Sequence, residues 1–470
     1  MTGPSSSIGR RRNYVWRQGE PQDEQPGLPR SARGGPVRRK REPEGKQPPA
    51  NPRRVALDVL TAVFERKLPL DEALASARRL PELETRDRAF VRMLVATTLR
   101  RLGQIDAVLK PRLNHAPKEP RTRHTLRMGA AQLLFMDTPA HAAVGQSVEL
   151  AGKTGPQGLI NAVLRRIATD GPGEVAEQDA ERLNTPNWLW HAWVDAYGQE
   201  ATRAIARVHM AEPSLDFSIK GDRDAWASRL AALPVGDATL RRHEGGQVEE
   251  LAGYKDGAWW IQDAAAALPA RLLGDVSERD VLDLCAAPGG KTAQLAVAGA
   301  RVTAIELSEA RAERLRANLR RLKLDAELVV ADALAWEPGR RFARVLLDAP
   351  CSATGTIRRH PDVAWNKTPD TMAQMTDTQK RLLDRAASWL EPGGTLVYAV
   401  CSLQPEEGPD IVAAVLAERS ELERQAIAPD ERSGLPVDVT EEGAIRTLPC
   451  HLAEQGGMDG FYIARLRRKD

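Results

Sequence analysis

Apolar residues recur at helical spacing along the chain from residue 52 onward. Val55, Leu57, Val59, Leu60 and Val63 open one face. Phe90, Leu94, Val95 and Leu99 mark a second, and Leu126, Ala130, Leu133 and Leu134 a third. Steps of three and four residues place such side chains on one side of a 3.6-residue repeat. Pro52 suits the first turn of a helix, and Pro111, Pro117, Pro120 and Pro139 punctuate the run. The pattern predicts a bundle of roughly five to seven helices over residues 51–170. The Gly/Pro/Glu stretch at 171–174 reads as its boundary.

The regularity weakens over residues 171–270, which predict a linker and a small α+β subdomain. Trp188, Trp190, Trp193 and Tyr197 share an aromatic helical stretch, and Leu215–Ile219 is a strand candidate. The tryptophans read as packing anchors ahead of base-stacking platforms. Over residues 271–470 the period changes again. Strand candidates at 281–284, 302–306, 326–330, 345–348 and 395–400 alternate with helical runs, among them 308–322 and 369–390. That alternation predicts a doubly wound α/β domain on a parallel sheet.

Length and composition narrow the class. The 470 residues suffice for roughly two or three domains with a sizeable core. No apolar run approaches the ~20 residues of a membrane span, and the basic, polar N-terminus lacks a secretory signal's apolar stretch. Of the four cysteines (Cys285, Cys351, Cys401, Cys450) none shows CxxC spacing, so neither structural zinc nor another metal site is expected. A reducing, cytoplasmic setting fits them. The net charge is +3, but residues 1–50 carry a surplus of six positive charges, which leaves the rest at −3. That N-terminal segment, with Arg10-Arg11-Arg12 and Arg38-Arg39-Lys40-Arg41, reads as a disordered basic tail: either a solvated end or an RNA-binding arm. In the helical region Arg100, Arg101, Arg121, Arg123, Arg127, Arg165 and Arg166 form either a phosphate-binding surface or ordinary surface charge.

Candidate chemistry gathers at the carboxyl ends of the predicted strands, where open α/β sheets bind ligands. Cys285-Ala286-Ala287-Pro288-Gly289-Gly290-Lys291 turns from the first strand into a helix. Its glycines permit close backbone approach, and the helix start offers free N–H groups to a polar ligand. Glu306 ends the second strand, where an acid accepts from both hydroxyls of a ribose, and Asp332 follows the third, within reach of an adenine amino group. The dinucleotide fingerprint GxGxxG is absent, and the phosphate-loop pattern fails because Cys285 stands where its first glycine belongs. Asp348-Ala349-Pro350-Cys351 follows the fourth strand and Val400-Cys401-Ser402 the fifth. A thiolate is a strong nucleophile where its surroundings favour it. A cofactor cradle, an acid and two thiols on one sheet edge suit attack on an unreactive aromatic ring followed by group transfer. The thiols of Cys285 and Cys450 read as inert core groups.

Residues 281–295, 345–365 and 394–407 resemble the RNA 5-methylcytosine methyltransferases that use S-adenosylmethionine. Residues 51–54 with the following helices, 123–134 and 158–166 resemble the helical RNA-binding domain related to the antitermination factor NusB. Gln262-Asp263 also fits. The pairing, from residue 51 to the end, is similar to bacterial 16S ribosomal RNA cytosine-5 methyltransferases. The resemblance implies a Rossmann-like class I methyltransferase sheet behind an all-α NusB-like domain. It implies S-adenosyl-L-methionine held by residues 285–291, Glu306, Asp332 and Asp348, and RNA, in particular 16S ribosomal RNA, as the partner. Two positions depart from the family: Val400 stands where a threonine is common, and Gly408 where asparagine is.

The resemblance also implies roles. Cys401 is the thiolate that adds to C6 of cytosine, so that C5 becomes enamine-like and accepts a methyl group. Asp348 hydrogen-bonds the ring at N3, and Cys351 serves the release step. Arg358, Arg359 and His360 are candidates for holding phosphates beside the thiols, His360 alternatively a structural residue, and Lys291 for supporting the cradle or the active-site backbone, with an ordinary surface role as its alternative. Two further readings stay open at this point: transfer RNA as the substrate, or a catalytically inactive RNA-binding assembly factor.

Overall fold

The computed structural model describes residues 49–152, 155–243 and 245–470, of which 50–470 form one compact unit. The basic clusters of the N-terminal segment lie outside the described residues. Asn51 opens the first helix by accepting the Arg54 amide at 3.1 Å, with Pro52 in the first turn. Seven helices follow: α1 (Pro52–Glu65), α2 (Leu70–Ser76), α3 (Thr85–Arg100), α4 (Leu102–Leu109), α5 (Pro120–Phe135), α6 (Ala140–Leu150) and α7 (Gln157–Ala176). Leu57, Leu60, Leu94, Leu99 and Leu126 are buried among them, on the faces the apolar spacing marks.

Residues 171–174 are not a break. Both Gly171 and Pro172 lie inside α7. A Cβ on Gly171 would meet Leu134 Cδ2 at 2.9 Å, so this glycine serves close packing of α7 on α5 rather than a turn. Beyond it come α8 (Ala180–Leu183) and α9 (Asn187–His209), the latter bent at Gly198, whose φ is +79°. A small antiparallel sheet then forms from β1 (Leu215–Ile219), β2 (Leu233–Val235), β3 (Thr239–Arg242) and β4 (Trp259–Ile261), ordered β2-β3-β1-β4, with α10 (Arg223–Leu230) after β1. Phe217 and Trp259 meet edge to face in its core, 4.9 Å between centroids.

After α11 (Leu268–Arg271) the large sheet begins. Its strands are β5 (Asp280–Leu284), β6 (Arg301–Glu306), β7 (Glu327–Val330), β8 (Phe342–Asp348), β9 (Leu390–Val400), β10 (Leu422–Arg424), β11 (Asp438–Val439), β12 (Ile445–Arg446) and β13 (Tyr462–Arg468). Helices α12 (Gly290–Val297), α13 (Glu309–Leu322), α14 (Val363–Asn366), α15 (Pro369–Ser388) and α16 (Pro409–Glu418) connect them. The order is β11-β12-β13-β9-β8-β5-β6-β7, with β10 also on β13. Strands β5 to β9 are mutually parallel, as the alternation predicts, but β13 runs antiparallel to β9, Tyr462 opposite Val400. From β5 the chain steps outward to β6 and β7, then returns to β8 and β9 on the other side. The reversal opens a crevice beyond the carboxyl ends of β5 and β8.

The helical region is fastened to the segment that follows Cys351. Asp362 accepts the Leu70 amide at 3.1 Å, the Trp365 indole donates to the Leu99 carbonyl at 2.9 Å, and Arg100 donates to the Arg358 carbonyl at 3.2 Å.

Candidate active site

The turn after β5 is shaped by its glycines and by two side chains from α13. Gly289 has φ +101°, and a Cβ there would also press on Leu315 Cγ at 3.0 Å, so no other residue fits without strain. Arg311 donates to the Ala287 carbonyl at 2.7 Å and Asn318 to the Pro288 carbonyl at 2.9 Å. Glu306, 2% exposed at the end of β6, accepts from the Ala287 amide at 3.3 Å and the Ser308 amide at 3.0 Å. Asp332 lies exposed just past β7, one carboxylate oxygen accepting the Leu334 amide at 2.9 Å. Sequence reasoning missed Asp283. It is fully buried in β5, one oxygen accepting from Thr292 at 2.6 Å and the other without a partner. Burial, then the nearby Asp348, pushes its carboxyl up to about 7.

Lys291 lies at the start of α12 and donates to Asp348 Oδ2 at 2.6 Å, its ammonium 5.4 Å from the centre of the Phe461 ring. The lysine therefore fixes the acid at the end of β8. Three residues on, Cys351 Sγ stands 3.4 Å from Cys401 Sγ. Both thiols are partly buried. The hydrogen bond to Cys401 first, then burial, pushes the Cys351 thiol well above the usual range. Cys285 is different: burial, with Asp348 and Glu306 adding to it, pushes its thiol up to about 12. Cys450 is likewise pushed up by burial. Among the described residues no cluster of His, Cys, Asp and Glu has the geometry of a metal site.

Several sequence expectations are revised. Arg358 holds no phosphate: it is 1% exposed, paired with Asp263 at 2.5 Å and Asp459 at 3.5 Å. Arg359 also pairs with Asp459, and His360 faces Asp71 of α2 at 3.7 Å. Charge is visible in a sequence, but its burial is not. Of the helical arginines, Arg121 pairs with Asp58, Arg123 with Glu65 and Arg127 with Asp106, Arg100 is bound to the Arg358 carbonyl, and Arg101 stacks on Phe135; Arg165 and Arg166 are exposed. The tryptophans do anchor: Trp193 donates to Gln404 at 2.8 Å, and Tyr197 donates to the Leu403 carbonyl, both in the loop behind Cys401. Gly408 has a packing reason, because a Cβ there would meet the Tyr462 ring at 2.9 Å.

A reversed α/β sheet with an acid-flanked cradle at its switch point, and two thiols beside it, defines a Rossmann-like methyltransferase. Residues 270–467 match the family described as 16S rRNA methyltransferase RsmB/F, and residues 50–169 match the NusB family. The ribosomal RNA small subunit methyltransferase B of Pseudomonas putida is 36% identical over 442 residues, covering 88% of this chain and 98% of that protein. Its Vibrio cholerae counterpart is 35% identical, with 89% and 98% covered. The chain belongs to the ribosomal RNA small subunit methyltransferase B family. The fold is shared with the crystal structure of PH0851 (TM-score 0.74, 22% identity, 89% of this chain and 99% of that one). It is shared in part with NSun6 from Pyrococcus horikoshii solved with SFG (TM-score 0.54, 18% identity, 61% and 98%).

The cofactor of this family is S-adenosylmethionine, and the cradle suits it. A buried acid at Glu306 matches two ribose hydroxyls, and Leu307 beside it is 69% exposed, an apolar face for a purine ring. The unpartnered Asp283 oxygen and the Asp348 carboxyl are the acidic groups here that would suit a cationic sulfonium.

Proposed function

We propose that this chain transfers a methyl group from S-adenosylmethionine to C5 of a cytosine in 16S ribosomal RNA, by way of a transient bond between Cys401 Sγ and C6. S-adenosylmethionine supplies the electrophilic methyl group. The observation that carries the reading is the contact of the two sulfurs, 3.4 Å apart, beside the Lys291–Asp348 pair. Attack by the Cys401 thiolate on C6 pushes the C5=C6 electrons toward the ring carbonyl and N3, where the Asp348 carboxyl, once it carries a proton, donates a hydrogen bond to the developing charge. C5 then carries the nucleophilic pair and takes the methyl group. Transfer of the C5 proton to a water molecule acting as base returns that pair to form C5=C6 again and expels Cys401 as thiolate. Cys351, in direct contact with Cys401, serves this release. Residues 285–291, Glu306, Asp332 and Asp348 hold the cofactor. The target base must leave its stack to reach the thiols.

In this reading residues 51–176 are the RNA-binding helical domain, 177–270 a linking subdomain, 271–470 the methyltransferase domain and 1–50 a basic tail. No described helix is long and apolar enough to cross a membrane, and a reducing cytoplasm, where ribosomal RNA is made, suits the free thiols. A radiolabelled methyl-transfer assay on unmodified small-subunit RNA and on transfer RNA tests the reading. Label in the former supports it. Label only in transfer RNA moves the substrate, and none in either, with cofactor still bound, leaves an assembly factor.

A further inference from the structure

Glu407 has no surface exposed to solvent and, among the described residues, no basic partner. Its carboxylate accepts instead from the Ser352 amide at 2.7 Å, the Ser352 hydroxyl, the Ser402 hydroxyl and Gln379 Nε2 at 3.0 Å. Ser352 directly follows Cys351 and Ser402 directly follows Cys401. The same Gln379 nitrogen donates to the Pro350 carbonyl, just before Cys351, at 2.8 Å. Backbone ties reinforce the junction: the Tyr398 hydroxyl donates to the Glu407 carbonyl at 2.6 Å, and the Gly355 amide to the Cys401 carbonyl at 3.0 Å.

We propose that Glu407 is a positioning residue for the methyl-transfer reaction: one buried carboxylate binds the Cys351 loop to the Cys401 loop and thereby sets the separation of the two sulfurs. This rests on the two-thiol reading of the site. The chemistry calls for a carboxylate, which is acceptor-only, because every group aimed at it is an N–H or O–H donor. A glutamine would present donors of its own to those donors and leave part of the junction unsatisfied. An aspartate is one methylene short of spanning both loops. Glu407 also adds, after the Cys401 contact and burial, to the effects that push the Cys351 thiol up.

The test uses the full-length protein as wild type, Glu407→Gln, Glu407→Asp and the double variant Ser352→Ala/Ser402→Ala, which keeps the carboxylate and removes two of its donors. Two readouts are followed. The first is kcat against the cofactor's Kd. The second is the rate at which diamide closes a Cys351–Cys401 disulfide, read by peptide mass; its N=N bond takes up both thiol protons and both electrons as the S–S bond forms. In Glu407→Gln we expect kcat to fall about 100-fold and disulfide closure to slow about tenfold, with cofactor Kd changed less than about threefold. Glu407→Asp and the serine variant should fall between it and wild type. Wild-type kcat and wild-type closure rate in folded Glu407→Gln would overturn the proposal. Should that variant not fold, the same result in the serine variant would do so. The diamide arm needs no RNA, so a wild type that methylates no RNA defeats the functional reading while the clamp is still decided.

Discussion

Cys351 and Cys401 lie fifty residues apart in sequence, yet their sulfurs touch at 3.4 Å. The parallel pairing of β8 with β9 brings this about. Asp348 sits opposite Ala399, so the residues leaving the two strands emerge side by side at the sheet's carboxyl edge. A ring bonded to one sulfur is thereby within reach of the other, as the proposed addition and release on a single base require.

Arg358 tests the revised view of the basic run after Cys351. Removing one member of a buried ion pair strands its partner and costs about 3–5 kcal/mol. Arg358→Met, which leaves Asp263 without its closest cation, should lower Tm by roughly 3–6 °C in a chain of this size. The salt dependence of RNA binding should stay as it is. A phosphate contact would behave the other way, with Tm unchanged and the salt slope reduced by about one.

Glu306 should act on the cofactor alone. Glu306→Gln keeps the shape but loses charge-assisted hydrogen bonding worth about 1.5–3 kcal/mol, a weakening of roughly 10- to 100-fold in calorimetric Kd. Rates at saturating cofactor should remain within about threefold of wild type. An unchanged Kd would remove Glu306 from the cradle.

His209 makes a pH prediction with a definite sign. Fully buried against Trp193, it is held down at about 3, by burial first and the Arg358 charge second, Asp459 opposing. The fold therefore keeps His209 neutral while the unfolded chain protonates it below about 6.5. Its contribution to stability is complete above that pH and declines as pH falls toward 3, by about 1.4 kcal/mol per pH unit. His124, held down at about 4 chiefly by burial, acts in the same direction. Asp283 acts oppositely, since a carboxyl raised to about 7 favours the fold as pH drops through that value. The informative quantity is thus the difference between variant and wild type. Denaturant unfolding of His209→Leu between pH 7 and 5 should show a shallower loss of stability than wild type, and equal slopes would refute this account of His209.

Much of the site was legible because parallel strands buried on both faces read as short continuous apolar runs. Their ends then place Glu306, Asp348 and the residue before Cys401 at one edge. The glycine turn is legible because Gly289 requires its positive φ. What stayed hidden depends on partners far away in sequence. Glu407 is one of two adjacent acids until Gln379 and Ser352 surround it, and Arg358 is one of two adjacent arginines until Asp263 buries it. Strand β13 was missed because it joins the sheet antiparallel after a long segment dominated by turns, outside the strand–helix alternation. The helix through residue 172 was missed because glycine and proline signal a break only where nothing packs against them.

The decisive measurement is the fate of RNA bound to single-cysteine variants on denaturing gels. With Cys351→Ala we expect a covalent protein–RNA band that survives denaturation and grows with time in the presence of cofactor. With Cys401→Ser we expect no band and no turnover, yet cofactor binding close to wild type. A band that forms when Cys401 is replaced, and never when Cys351 is, would contradict the assignment of the nucleophile and with it the mechanism.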